Sequence, residues 1–201
     1  MTYILEEIEK NKDVTIKVLR YSDSDLSQID LTIFNAFELS EFNSFKSIKR
    51  QLEYYYARLL WQSFGHQEFV KYKPTGKPIL NVGFISISHS HHQVAIAYSK
   101  TKEIGMDIEQ KSTKVQIVKS KYLHPEENHE SITDLTKIWT IKEAIYKLYD
   151  SKNLFFKEHI IVKSLLPVQT VFTEVNTVSV YPKIITIELK NNFILSYAQQ
   201  F

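Results

Sequence analysis

The run Gly105-Met106-Asp107-Ile108-Glu109 holds two carboxylates one residue apart. Successive side chains of a β-strand point to opposite faces, so Asp107 and Glu109 project together while Met106 and Ile108 turn toward a core. Two like charges that close repel each other unless a cation lies between them. An all-oxygen pair suits magnesium, which takes a few carboxylates and completes its shell with phosphate and water. A lone D-x-E pair is also an ordinary feature of an exposed edge strand, so it needs company to mean chemistry.

That company is offered by WTIKEAIYK, residues 139–147. Leu135, Ile138, Trp139, Ile145 and Tyr149 fall on one face of a helix, while Glu143 and Lys147 share another at i,i+4. Alone, such a pair is a surface contact of a few tenths of a kcal/mol. Brought against Asp107 and Glu109, the same face supplies a third carboxylate, as metal ligand or base, and a cation for phosphate. A third cluster, Ser88-His89-Ser90-His91-His92, ends a strand and begins a turn. Its hydroxyl and imidazole groups can donate to phosphate oxygens. Zinc is a poor fit, because HPEENH at 124–129 has Pro125 where a helical H-E-x-x-H needs glutamate.

The elements that must carry these residues follow from periodicity. Residues 14–20 predict a first strand, and 45–64 an amphipathic helix with Leu52, Tyr55, Leu59 on one row and Tyr56, Leu60, Phe64 on the next. KPTGKPIL is a loop, and the alternation of GFISISHS and QVAIAYSK predicts a hairpin. GMDIEQ is a short strand, 112–130 helical and loop material, and 133–149 a strong helix; the tail from about 160 is strand-rich. HHQVAIAYSK and KNNFILSYAQQ share one pattern of polar turn, apolar strand, tyrosine and small polar residues. Two copies of one α+β unit would explain it. The expectation is an α+β fold of two pseudo-symmetric lobes, residues 1–103 and 104–201, each a small antiparallel sheet against a long helix.

Composition narrows the function classes. There is no cysteine, which removes disulfides, thiolate metal sites and cysteine nucleophiles. The four glycines are too scattered for a phosphate-binding loop, so side chains and metal must hold any phosphate. A net charge of +2 does not suggest a nucleic-acid binder. MTYILEEIEKNKD places acids where a secretory signal needs a basic start, and no apolar run spans a membrane, so a cytoplasmic protein with no membrane partner is expected. Lysines gather at Lys71, Lys73 and Lys77 and again at Lys111, Lys114, Lys119 and Lys121.

GKP, then SHS, then G-hydrophobic-D-I-E, then W-x-x-K-E-A-x-x-K, in this order and spacing over roughly 75–160, resembles the phosphopantetheinyl transferase superfamily. The length is similar to that of the larger, surfactin-synthetase-activating type, a monomer of two lobes. The resemblance implies transfer of the 4′-phosphopantetheine arm of coenzyme A to a serine of an apo acyl or peptidyl carrier protein, releasing adenosine 3′,5′-bisphosphate. It implies that Asp107, Glu109 and Glu143 hold Mg2+ against the diphosphate, with Lys147 and His89 on the phosphates and Ser88 beside them. Lys77 would lie near the adenine, and Lys49 or Arg50 would meet the 3′-phosphate. Glu143 is the candidate base, with Lys147 and Asp107 in the catalytic set. The second lysine group would face an acidic carrier protein. Met106 and the His91-His92 turn depart from the family pattern without removing a ligand, and the identity of the carrier stays open. The rival reading is a metal-dependent nuclease or phosphodiesterase, since Asp107, Glu109 and Lys111 satisfy an acid-x-Glu-x-Lys core. Such a core needs an acid upstream, and residues 31–106 contain no aspartate and 76–97 no glutamate. A non-enzymatic interaction module is the remaining alternative.

Overall fold

The computed structural model describes residues 3–22, 26–65, 68–165 and 170–200. The first half runs β1 (Tyr3–Lys10), β2 (Thr15–Tyr21), two 3-10 turns (Leu26–Gln28, Leu31–Ile33), α1 (Ala36–Ser44), α2 (Ile48–Gln62), β3 (Lys71–Tyr72), β4 (Pro78–Ile79), β5 (Phe84–Ser90) and β6 (Gln93–Ser99). The second runs β7 (Ile104–Gln110), α3 (Lys114–Ile117), α4 (Lys119–Tyr122), α5 (Ile132–Tyr149), α6 (Phe156–His159), β8 (Ile160–Ser164), β9 (Thr170–Val175), β10 (Val178–Val180), β11 (Lys183–Leu189) and β12 (Phe193–Gln199). The fold is α+β, with antiparallel sheets ordered β1-β2-β6-β5, β11-β12-β7 and β10-β9-β8 and a small β3-β4 pair. No helix among the described residues is long and apolar enough to cross a membrane.

One connectivity occurs twice. A strand leads through a long helix to a hairpin whose second strand returns beside the first: β2, α2, β5-β6, and then β7, α5, β11-β12. The hairpin turns match as well. His91 and His92 have φ of 42° and 58°, and Asn191 and Asn192 have 59° and 64°. Two successive left-handed residues make the tight turn whose twist suits flanking strands. Asparagine takes that backbone readily, and histidine is among the few other residues enriched there. The similarity of HHQVAIAYS to NNFILSYAQ thus lies in turn and strand alike. The expected division at 103/104 falls between β6 and β7.

Ser47 caps α2 by accepting from the Arg50 amide, so that helix starts later than periodicity predicts; Asn35 and Glu38 close a capping box on the separate α1. Leu52, Tyr55, Tyr56 and Leu60 of α2 pack on Leu19, Ile85, Val94 and Ile96. Ile138, Ile141, Ile145 and Leu148 of α5 pack with Ala198, Ile160 and Val162. Between the two sheets lie Ile16, Val18, Ala95 and Ala97 against Met106, Ile108, Leu195 and Tyr197. β1 was not anticipated: its residues are exposed or half-exposed, so it pairs with the edge of β2 without an apolar stripe to announce it.

Where the two sheets meet, β5 and β7 are joined through side chains. Ser86 Oγ accepts from the Met106 amide at 2.9 Å, Ser88 Oγ from Ile108 at 3.4 Å, and Ser90 Oγ from Gln110 at 3.3 Å. Alternate serines therefore reach the amides that a neighbouring strand would otherwise satisfy.

Gly105 lets α5 approach β7. A Cβ there would stand 2.0 Å from the Ala144 carbonyl oxygen and 2.4 Å from the Leu148 amide nitrogen. Both are helix backbone and cannot rotate aside. Gly105→Ala is expected to cost about 3 kcal/mol by displacing the helix, read as a lower urea midpoint at unchanged slope; an unshifted midpoint would mean that α5 is loosely seated.

Candidate functional site

β7 presents Gly105, Asp107 and Glu109 toward α5 and sends Ile104, Met106 and Ile108 into the inter-sheet core, as alternation predicts. Asp107 is buried at 4% exposure. Its Oδ1 accepts from Ser88 Oγ at 2.7 Å and from Lys147 Nζ at 2.7 Å, and Lys147 also reaches Ser88 Oγ at 3.0 Å. Asp107 Oδ2 is buried with no hydrogen-bond partner. Glu109 accepts from Ser90 Oγ at 2.7 Å. Strand, hairpin and helix, far apart in the chain, thus meet in one network. Lys147 makes its hydrogen bond and close ion pair with Asp107 rather than with Glu143, its expected neighbour one turn back.

The electrostatics are those of crowded acids. Burial, and then the charges of Asp107 and Glu109, push Glu143 up to about 7 against the pull of Lys147. Burial and Asp107 likewise raise Glu109. Among the described residues, no three His, Asp or Glu side chains are already drawn together as a metal-ligand group. The donor chemistry nonetheless suits a hard cation: three carboxylates, two of them destabilised by their neighbours, and one buried oxygen without a donor.

A cleft of about 630 Å³, counting its open mouth, runs from the 75–78 loop along Ile85 and Ile87 to Glu143, Tyr146 and Lys147. It brings Lys77 into the same hollow as the WTIKEAIYK face. The Lys77 ammonium itself donates to the Leu148 carbonyl at 2.7 Å, in the last turn of α5, and pairs with Glu103 at 3.5 Å. A cation at that helix end satisfies an orphan carbonyl and complements the dipole. His89 leaves β5 on the side of Ile85 and Ile87, and Arg50 Nη1 of α2 lies 3.0 Å from its Nε2. Burial lowers the pKa of His89, and the positive charges of Arg50, Lys147 and Lys49 add to that effect.

No family model matches the chain, and no curated protein matches it.

Beyond Glu109 lies a second hollow, of about 860 Å³ with its mouth, walled by Val115, Val118, Tyr122, Trp139 and Phe156 and bordered by Lys114 and Lys121. Tyr122, Trp139, Phe156 and Tyr146 stack edge to face in a row along the outer side of α5, with centroids 5.1–5.7 Å apart. Of the four lysines after β7, Lys111 pairs with Glu188 at 3.4 Å and Lys119 with Glu130 at 2.7 Å. Two residues escaped the reading of the sequence. Lys142, in the middle of the helical motif, is fully buried against Glu127, and Glu53 stands buried beside Arg50 and His89. Only the helical spacing of Glu53 from Arg50 could have signalled the latter.

Proposed function

We propose that the chain is a magnesium-dependent phosphopantetheinyl transferase that moves the 4′-phosphopantetheine arm of coenzyme A to a serine of an apo carrier protein. The observation that carries this reading is the contact of Lys147 with both Asp107 and Ser88, at 2.7 and 3.0 Å, which joins three separate motifs at the head of a cleft edged by Lys77. Asp107, Glu109 and Glu143 would hold the magnesium ion, which neutralises the diphosphate and the charge that develops on it.

On this reading the cleft between the 75–78 loop and α5 receives the nucleotide, and the aromatic hollow beyond Glu109 receives the pantetheine arm. A diphosphate between them offers Lys147 a stronger partner than Asp107, and Arg50 supplies further donors. The serine hydroxyl bonds to the phosphorus that bears the arm, while the bond from that phosphorus to the departing adenosine 3′,5′-bisphosphate breaks. Glu143, at the cleft beside Lys147, is the candidate to take the serine proton. The deciding experiment incubates the protein with coenzyme A, magnesium and a panel of apo carrier proteins and weighs the products. Carrier proteins that all stay unmodified would remove the reading.

Lys114 and Lys121 rim the arm's hollow, where an incoming carrier protein presents its serine. Steering between exposed charges fades as the screening length falls from about 10 Å at 0.1 M salt to about 3 Å at 1 M. The KM for an acidic carrier protein should rise with salt more steeply than the KM for coenzyme A. Lys114→Glu with Lys121→Glu should reproduce that rise at low salt for the protein substrate alone, by roughly tenfold. An unchanged KM for the carrier would assign these lysines to an ordinary solvated face.

A further inference from the structure

Beside His89 lies a carboxylate that none of the motifs contains. Glu53 of α2 is 7% exposed and has three cationic or donor neighbours. His89 Nδ1 stands 3.3 Å from its Oε1 and Lys49 Nζ 3.9 Å from the same oxygen, while Arg50 Nη1 donates to Oε2 at 3.3 Å. Arg50 Nη1 also lies 3.0 Å from His89 Nε2. A guanidinium has donors and no acceptor, so Nε2 meets it with a lone pair. The ring proton then belongs on Nδ1, the nitrogen on the side of the Glu53 carboxylate, and the tautomer follows from the network.

The charged groups that face this imidazole are Lys49, Arg50 and Glu53 from α2 and Lys147 from α5, and Glu53 is the one that favours a positive ring. Remove it and three cations are left around a ring that is free to turn. The side chain of Arg50, about half exposed, then keeps the Phe45 ring, 5.3 Å away, but has no carboxylate to hold it toward His89. Glu53 is itself buried and carries the wrong sign to touch a phosphate. We propose that Glu53 is a positioning residue that, directly and through His89, holds Arg50 as a receptor for a phosphate group of the donor. This rests on the transferase reading above. It acts much as carboxylates behind metal-bound histidines fix ring orientation and tautomer.

A receptor of this kind binds substrate and transition state alike, so its loss appears in KM more than in kcat. Glu53→Ala should raise the KM for coenzyme A roughly tenfold, the low end of what losing such a partner costs, with kcat within about twofold. Glu53→Gln keeps an acceptor for Nδ1–H and should hold the rise to about threefold or less. Nitrogen-15 spectra of histidine-labelled protein, with His89→Asn to assign the signal, should show the Nδ1–H tautomer in the wild type and in Glu53→Gln, and its loss in Glu53→Ala. An Nε2–H tautomer in the wild type, an unchanged KM in Glu53→Ala, or equal rises in both variants would each overturn the inference. Should Glu53→Ala fail to fold, Glu53→Met, which keeps more of the packed volume, takes its place. A wild-type protein that transfers nothing would remove the transferase reading instead. In that event the tautomer, and binding of inorganic pyrophosphate to wild type and Glu53→Ala, still judge Glu53 separately.

Discussion

Asp107→Ala is expected to lower turnover by about a thousandfold or more while the fold survives. Asp107 is the carboxylate at which β5, β7 and α5 all meet, through Ser88, its own strand and Lys147. Its loss takes away one proposed metal ligand and the partner that holds Lys147 at the head of the cleft. Stability should change by less than about 1 kcal/mol, because Lys147 is part exposed and can turn to water, and opposing terms are removed together. Lys147 loses an ion pair, yet Glu109 and Glu143 lose a repelling neighbour. The pH dependence separates these effects. The folded-state pKa of Glu143 is raised from 4.5 to about 7, so the folded protein binds its proton more tightly than the unfolded chain does. Stability from this group is therefore present below pH 4.5 and is lost as pH rises through 7. With the Asp107 charge gone, that decline should be shallower. Melting temperatures from pH 4 to 8, measured beside turnover, test both halves, and wild-type activity in Asp107→Ala would remove the carboxylate site from the account.

Lys142→Met should cost about 3–5 kcal/mol, the range for stripping one partner from a buried ion pair. The ammonium has no exposure and uses all three of its protons: on Glu127 Oε2 at 2.7 Å, the Tyr122 carbonyl at 2.7 Å and the Phe156 carbonyl at 3.1 Å. Glu127 in turn accepts from the amides of Val162 and His124, each at 2.7 Å. One pair thus ties α5 to the segment after α4, to α6 and to β8. Methionine fills the volume but leaves a buried carboxylate and two carbonyls without their donor. Lys142→Met with Glu127→Gln should recover part of the loss, since the charge goes, although the single amide oxygen can replace only one of the two carboxylate oxygens that accept from Val162 and His124. Urea denaturation measures both variants. A cost under about 1 kcal/mol for the single change would mean that water reaches the ammonium. Tyr122 and Phe156 also wall the hollow beyond Glu109, so this loss should loosen that wall too.

Local periodicity made much of this legible. Alternation placed Asp107 and Glu109 on one face of β7, predicted the β5-β6 hairpin and suggested the repeat; spacing found α5 to within a residue. What stayed hidden depends on contacts between distant segments. A lysine between Ile141 and Glu143 has the look of a surface residue until Glu127 is folded against it. Lys147 was matched to Glu143 by spacing but turns to Asp107 because the sheet brings a more buried oxygen within reach. Glu53 needed the register of α2 against β5, which the sequence of that helix does not reveal. β1 escaped because an edge strand facing water carries little hydrophobic pattern.

The joint between β5 and β7 bears on how such a molecule can change over generations. Hydrogen bonds between backbones are present whatever the residues, and mutation seldom alters them one at a time. Here Ser86, Ser88 and Ser90 reach the amides of β7 through hydroxyls, so each of those connections is encoded in a single codon. Two of the same hydroxyls hold Asp107 and Glu109. Replacing one serine would therefore reset the coupling of the two repeats and the aim of a carboxylate in a single step, which makes the seam a place where heritable variation can retune the site without disturbing either core.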